Sequence, residues 1–297
     1  MKIVQCVPNF SEGTDLNKVE QIVDVVRKHE GVNLVSYEPD ANYNRTVVTL
    51  LGEPEKVKQA IIDMVEMTTK LIDLNVHKGE HSRMGAMDVI PYIPIRNMTM
   101  EECIVLAKET ALEINRLFQI PIFLYEEAAS CEARVNLATI RKGQFEGMKE
   151  KIKLPEWKPD YGMAEIHPTA GVTAVGARFS LIAFNINLGT DNVEIADKIA
   201  KTIRHSNGGY RYIKAGPAKI EDRNIVQVTM NITNYKKTAI YRVFEAVKME
   251  AKRYGVPVIG SEIIGLVPLE AIVESMEYYL GLEGFDLSKI LETNLLS

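Results

Sequence analysis

One junction is written twice in this chain, and it limits the architecture more than any other part of the sequence. Asn9-x-x-x-Gly13-Thr14-Asp15 and Asn185-x-x-x-Gly189-Thr190-Asp191 each separate a short apolar run from an amphipathic stretch. After each copy the same order of patterns follows: helix, strand, strand, helix. A short repeated unit with mixed periodicity points to two similar βαββα-type subdomains, an α/β (α+β) chain with mixed or antiparallel sheets and helices packed on them.

In the first copy, residues 3–7 read as a strand. Thr14 or Asp15 then caps a helix whose stripe is Leu16, Val19, Ile22, Val23 and Val26, ending near Gly31. Strands over 32–37 and 46–51 flank a polar turn at 40–44. Pro54 opens a helix carrying Val57, Ala60, Ile61, Met64 and Val65 on one face. Thr99-Met100-Glu101-Glu102 is a capping box for a helix to about Leu117, followed by a strand over 120–125. In the second copy, 181–188 is a strand and Asp191 opens a helix with Val193, Ala196, Ile199, Ala200 and Ile203 on one face. Strands over 210–214 and 225–232 follow, the latter turning Val226, Val228, Met230 and Ile232 inward. A helix with Ile240, Phe244, Val247 and Ala251 ends at Gly255. A strand from Val256 and a helix from Pro268 to Gly281 complete the pattern. Between the copies, residues 142–178 hold enough glycine and proline to break both helix and strand patterns, which sets a boundary near Arg178 and subdomains 1–178 and 179–297.

Composition removes several classes. Thirty-five Lys and Arg against forty Asp and Glu give a net charge of −5, so no general excess of positive charge awaits a nucleic-acid backbone. Cys6, Cys103 and Cys131 are odd in number and widely spaced, which suggests reduced thiols rather than a disulfide framework. Gln5, Pro8 and Asn9 interrupt the first apolar run, and no run approaches the length of a membrane span. No membrane partner is expected, and the cytoplasm is the expected compartment.

The least core-like stretch is 75–88, Asn-Val-His-Lys-Gly-Glu-His-Ser-Arg-Met-Gly-Ala-Met-Asp. Two of the five histidines fall in it, beside a carboxylate, an arginine and two glycines. Histidine titrates near neutrality and suits proton movement in both directions within one turnover. His77-Lys78-Gly79-Glu80-His81 also fits the H-x-x-E-H pattern of some zinc peptidases. That chemistry needs both histidines on one helical face, and Gly79 costs about 1 kcal/mol of helix propensity relative to alanine. A second polar cluster, Glu38, Asp40, Asn44 and Arg45, sits on the hairpin turn, where a carboxylate would orient a histidine and Arg45 would pair with a substrate carboxylate. Asn9 ends the first strand just before a helix, a place for an anion or for a simple turn. The irregular backbone of 142–178 is either a linker or a ligand-binding loop.

Taken together, Val7-Pro8-Asn9-Phe10-Ser11-Glu12-Gly13, Asn44-Arg45-Thr46, the ten residues from Gly79 to Asp88, and Ala183-Phe184-Asn185-Ile186-Asn187-Leu188 resemble the formiminotransferase family over nearly the whole chain. The resemblance implies transfer of a formimino group from N-formimino-L-glutamate to N5 of tetrahydrofolate, with tetrahydrofolate as co-substrate and no metal. It places the catalytic histidine at His81, with Ser82 where the family's motif has proline, and it puts Glu38 and Asp40 in the position of the acid that orients it. The folate-binding segment falls on Gly162, Met163, Ala164, Glu165, Ile166, His167, Pro168, Thr169, Ala170 and Gly171. Asn9, Asn44, Arg45, Arg83 and Arg178 are the candidates for holding substrate, the arginines for its carboxylates. The resemblance further implies a homodimer, and, the sequence ending at Ser297, a separate cyclodeaminase protein for ammonia release. Formyl transfer through N-formylglutamate or 5-formyltetrahydrofolate, a noncatalytic folate or amino-acid sensor, and the zinc peptidase are the alternatives.

Overall fold

The computed structural model describes residues 1–295; Leu296 and Ser297, the last positions of the expected C-terminal subdomain, lie outside the described residues. The chain divides into two compact units, Met1–Arg178 and one beginning at Phe179.

In the first unit the elements run β1 (Ile3–Cys6), β2 (Asn9–Phe10), α1 (Leu16–Arg27), β3 (Val32–Asp40), β4 (Arg45–Gly52), α2 (Pro54–Leu71), β5 (Met87–Arg96), α3 (Met100–Phe118), β6 (Ile122–Glu126), α4 (Glu132–Val135), α5 (Leu137–Arg141), α6 (Gln144–Lys151) and β7 (Thr173–Ala177). Local chemistry explains the helices. Asp15 caps α1 by accepting from the N–H groups of Asn17 and Lys18, and Val19, Ile22, Val23 and Val26 are buried, while Leu16 stays exposed. Pro54 stands at the first turn of α2, and Thr99 with Glu102 forms the expected box at the start of α3. β1 and β2 are one path interrupted at Pro8; they lie antiparallel between β4 and β5. β3 adds outside β4, and β7 and β6 extend the other side in parallel with β5.

Three features of this unit depart from the sequence expectation. β5 was not foreseen, because Pro91 and Pro94 lower strand propensity in a central strand. It is accommodated by a register shift opposite Pro94 and by a bond from Val7 N–H to Pro91 O. Also unforeseen were the short helices α4 and α5. The third lies within 142–178, which is not devoid of regular structure: α6 buries Phe145 and Met148, and the fully buried β7 is built from small residues whose lack of bulk hid the pattern.

The second unit runs β8 (Ile182–Leu188), α7 (Val193–Ile203), β9 (Ile213–Ile220), β10 (Ile225–Ile232), α8 (Ile240–Arg253), β11 (Val258–Ile264), α9 (Leu269–Leu280) and α10 (Leu291–Leu295). Its four strands are ordered β11-β8-β10-β9, every neighbour antiparallel. Val226, Val228, Met230 and Ile232 are buried as the alternation requires. Two local readings are corrected. Asn192, not Asp191, caps α7 by accepting from Glu194 N–H. The strand expected over 210–214 starts at Ile213 instead, because Tyr210 N–H bonds to Ile203 O and closes the turn after α7. Among the described residues, no helix is long and apolar enough to cross a membrane.

Both units thus carry one βαββαβ core, and in each the first strand lies between the third and the fourth. The repeated asparagines occupy equivalent places: Asn9 pairs with Val47 and Val89, and Asn185 pairs with Thr229 and Glu262.

Candidate active site

Residues 72–86 connect α2 to β5 without helix or strand, and backbone contact holds them on two sides. On one side is the β3–β4 turn: Glu80 N–H bonds to Asn42 O at 3.1 Å and His81 N–H to Tyr43 O at 3.4 Å. Gly79 makes this approach possible, since a Cβ there would lie 2.4 Å from Tyr43 O. Asn44, at φ 47°, donates to Lys78 O and accepts from Gly13 N–H, so it ties the turn to both neighbouring loops. On the other side is the 167–171 turn: Leu74 N–H bonds to Thr169 O, Ala86 N–H to Ala170 O, and the Asn75 side chain donates to Pro168 O. The expected folate segment is therefore seated against the expected catalytic loop through its 167–171 end. Gly162, at its other end, takes φ +100° beside Asn115, with Met163 and Glu165 exposed and Ala164 and Ile166 half-buried.

His81 is 8% exposed, and its buried Nε2 lies 3.5 Å from Asp88 Oδ2, within ion-pair reach, with no hydrogen-bond partner among the described residues. Asp88 is fully buried: Oδ1 accepts from Met84 N–H at 2.7 Å and Gly85 N–H at 3.2 Å, and Oδ2 accepts from Arg141 Nη2. Burial pushes its pKa upward, but Arg141, His81 and the Met84 amide outweigh burial and hold the carboxyl below its usual range. Neither Glu38 nor Asp40 forms an ion pair with His81, contrary to the sequence expectation; the carboxylate that faces it is Asp88. Glu38 points to solvent, and Asp40 spends Oδ1 on the N–H groups of Asn42 and Tyr43, which shapes the turn.

The H-x-x-E-H reading loses its geometric basis, since 77–81 is not helical. His77 Nε2 lies 2.9 Å from Asn44 O, and its Nδ1 accepts from Arg83 Nε at 3.3 Å, which fixes a neutral ring protonated at Nε2. Burial lowers its pKa; the Asn44 bond opposes this and the Arg83 charge adds to it. His167 is likewise an acceptor, its Nδ1 taking Ala170 N–H at 3.0 Å and Thr169 N–H at 3.3 Å, and burial lowers its pKa too.

The arginines divide. Arg83 holds Glu146 in a two-pronged pair at 2.7 and 3.0 Å and reaches Gln144 at 3.1 Å, so it is engaged by protein rather than left for a substrate carboxylate. Arg45 has no acidic partner among the described residues: Nη1 reaches Asn9 Oδ1 at 3.5 Å, the guanidinium lies over Tyr43, and Nε is buried without a bond there. Arg178 directly follows β7, its N–H on Tyr92 O at 2.9 Å. Beside the loop is an open cleft of about 560 Å³ whose lining includes Glu12, Lys18, Asn44, Asp73, His77 and Lys78. Glu12 shapes it by accepting from the N–H groups of Gly13, Thr14 and Asp15.

Sequence reasoning did not assign Asp88, Arg141, Glu146 or Glu12. Asp88 alone had a visible signal, as the single charge in the apolar run 84–93.

Fold and site define a two-unit α/β protein whose histidine and buried carboxylate suit acid–base group transfer. Sequence comparison narrows this class: residues 3–178 match the formiminotransferase domain, N-terminal subdomain, and residues 183–294 match the formiminotransferase domain. The chain belongs to the formiminotransferase family. It is 53% identical over 296 residues to the glutamate formimidoyltransferase of Streptococcus pyogenes serotype M1, covering 99% of each chain. It is 43% identical over 297 residues to the protein of the same name from Thermoplasma acidophilum, covering 99% of this chain and 98% of that one. Against the formimidoyltransferase-cyclodeaminase of Mus musculus the identity is 38% over 284 residues, which is 94% of this chain and 52% of the mouse protein, so the chain spans about half that relative's length.

Proposed function

We propose that this chain is an enzyme that transfers the formimino group of N-formimino-L-glutamate to N5 of tetrahydrofolate, with His81 moving the proton. The observation that carries the reading is the His81 ring, buried at Nε2 against the Asp88 carboxylate. N5 attacks the formimidoyl carbon while His81 takes the N5 proton. As the tetrahedral intermediate collapses, the C–N bond to glutamate breaks and the imidazolium returns its proton to the departing nitrogen. Residues 162–171 receive folate. Arg45, lacking an acidic partner among the described residues, takes a substrate carboxylate, with Arg178 the second candidate and Asn9 and Asn44 framing the pocket. Glu38 and Asp40 act at a distance, through the turn that lays Tyr43 against His81. The division at Arg178, a homodimer and a cytoplasmic setting belong to the same reading.

A coupled assay of the metal-stripped protein with tetrahydrofolate and N-formiminoglutamate tests it, with His81→Ala beside it. Turnover to 5-formiminotetrahydrofolate that is lost in the variant supports the assignment. Full activity in the variant removes His81 from it, and turnover with N-formylglutamate alone moves the reading to formyl transfer.

A further inference from the structure

We propose that Asp88 and Arg141 are positioning residues for His81: Asp88 faces Nε2 and sets the tautomer of the ring, and Arg141 holds the Asp88 carboxylate, so that the pair places two opposite charges beside His81. The inference rests on the proton-transfer role of His81 and goes beyond it. Asp88 is the carboxylate facing His81 Nε2, at 3.5 Å, and it is fully buried. An ionised carboxylate there accepts only, so the ring presents Nε2–H to it and leaves Nδ1 unprotonated for the incoming proton. Asp88 is fixed in turn by Met84 N–H, Gly85 N–H and Arg141, which reaches it from α5, far along the chain. One carboxylate oxygen, Oδ2, thus faces the Arg141 guanidinium and the His81 ring at once.

The other charges around the ring are spoken for. Burial and the Arg83 charge favour the neutral form of His77 against the Asn44 bond, Arg83 is paired with Glu146, and Asp40 on the adjoining turn bonds through Oδ1 to its own backbone. Asp88 with Arg141 is the charge pair in direct reach of His81 Nε2, and their effects have opposite signs. Removing the carboxylate leaves a cation near the ring and lowers its proton affinity. Removing the cation raises the affinity of the His81–Asp88 pair for its shared proton, whichever partner carries it.

The experiment is the pH dependence of kcat/KM for the full chain carrying Asp88→Asn, Arg141→Gln, the double substitution or His81→Ala. The active form has neutral His81, so rate rises with pH through the proton affinity of the pair. Asp88→Asn is expected to move this acid limb to lower pH by about one unit and to reduce kcat roughly 10²- to 10⁴-fold through the wrong tautomer. Arg141→Gln is expected to move it to higher pH by about one unit, and the double variant to fall between. Opposite shifts are not produced by loss of folding, which lowers the amount of active enzyme without moving the limb. If Asp88→Asn does not fold, the upward shift in Arg141→Gln decides alone. Limbs that stay put or move together overturn the proposal while His81→Ala remains inactive, and an active His81→Ala overturns the underlying reading instead.

Discussion

In the first unit residues 72–86 join α2 to β5; at the same point of the second, only residues 254–257 join α8 to β11. The strands on either side correspond: β1 with β2 lies between β4 and β5, just as β8 lies between β10 and β11. The longer connection carries His77, His81 and Arg83, and the shorter one carries only Tyr254, Gly255, Val256 and Pro257. What surrounds each connection differs as well. Gly13 in the first unit is pressed against Asp40 O and Arg45 N, so its junction packs onto the hairpin turn, whereas the equivalent Gly189 meets the Pro257 side chain of the short connection. One scaffold is thus used twice, and the candidate chemistry belongs to a loop rather than to the βαββαβ core.

The sharpest way to break this comparison is to remove the side chain that sets the long loop apart. His81→Ala is expected to lower kcat about 10²- to 10⁴-fold with little change in KM, read by steady-state kinetics. A comparable loss from substitutions confined to 254–257 would mean that the chemistry is shared between the units. Next in size is a test of how tightly each fourth strand is entered. A Cβ on Gly85 would sit 2.1 Å from Val172 O, so Gly85→Ala is expected to cost about 1–3 kcal/mol, seen as a lower urea midpoint. On β11, a Cβ on Gly260 would meet only Asn187 Nδ2 at 3.7 Å, and Gly260→Ala is expected to stay within about 0.5 kcal/mol.

The same contrast explains how far the sequence could be read. Helices with a 3.6-residue stripe, such as α1, α2, α3 and α8, were legible because each is specified by its own residues, with a side-chain cap added in α1 and α3 and Pro54 at the start of α2. β5 and β7 were not, because one carries two prolines and the other is small and glycine-containing; their strand state comes from pairing with each other and with β1, β2 and β6. His81 stood out as a candidate from its loop and its resemblance. Its carboxylate partner did not, for the hairpin acids Glu38 and Asp40 looked equally suitable until the chain's path brought Asp88 round at the entrance to β5. Arg141 was out of reach of any spacing argument, since the fold brings it to Asp88 from α5.

Acid sensitivity is expected to concentrate around the long loop. His77 and His167 both have proton affinities lowered by burial, and both rings act as acceptors at Nδ1. Below the unfolded value of about 6.5 the unfolded chain takes up these protons first, so stability is full above that pH and falls as pH drops toward the lowered folded values. Melting temperature measured across this range should fall less steeply in His77→Gln combined with His167→Gln. An unchanged slope would place the acid sensitivity elsewhere.

The smallest effect separates the repeated motif from the repeated structure. Aligned by sequence, Asp191 is the counterpart of Asp15, yet α1 is capped by Asp15 while α7 is capped one residue later, by Asn192 through Glu194 N–H. A helix cap of this kind contributes about 1 kcal/mol, because it satisfies an N–H group that the helix itself leaves without a partner. Asp15→Ala and Asn192→Ala are therefore each expected to lower stability by about 1 kcal/mol in urea unfolding, and Asp191→Ala by less than about 0.5 kcal/mol. Only the Asp15 change lies beside the cleft, next to Glu12 and Lys18, so it alone should alter KM. If Asp191→Ala proved the costlier of the neighbouring pair, the two copies would share their capping register after all, and the one-residue offset between the units would be lost.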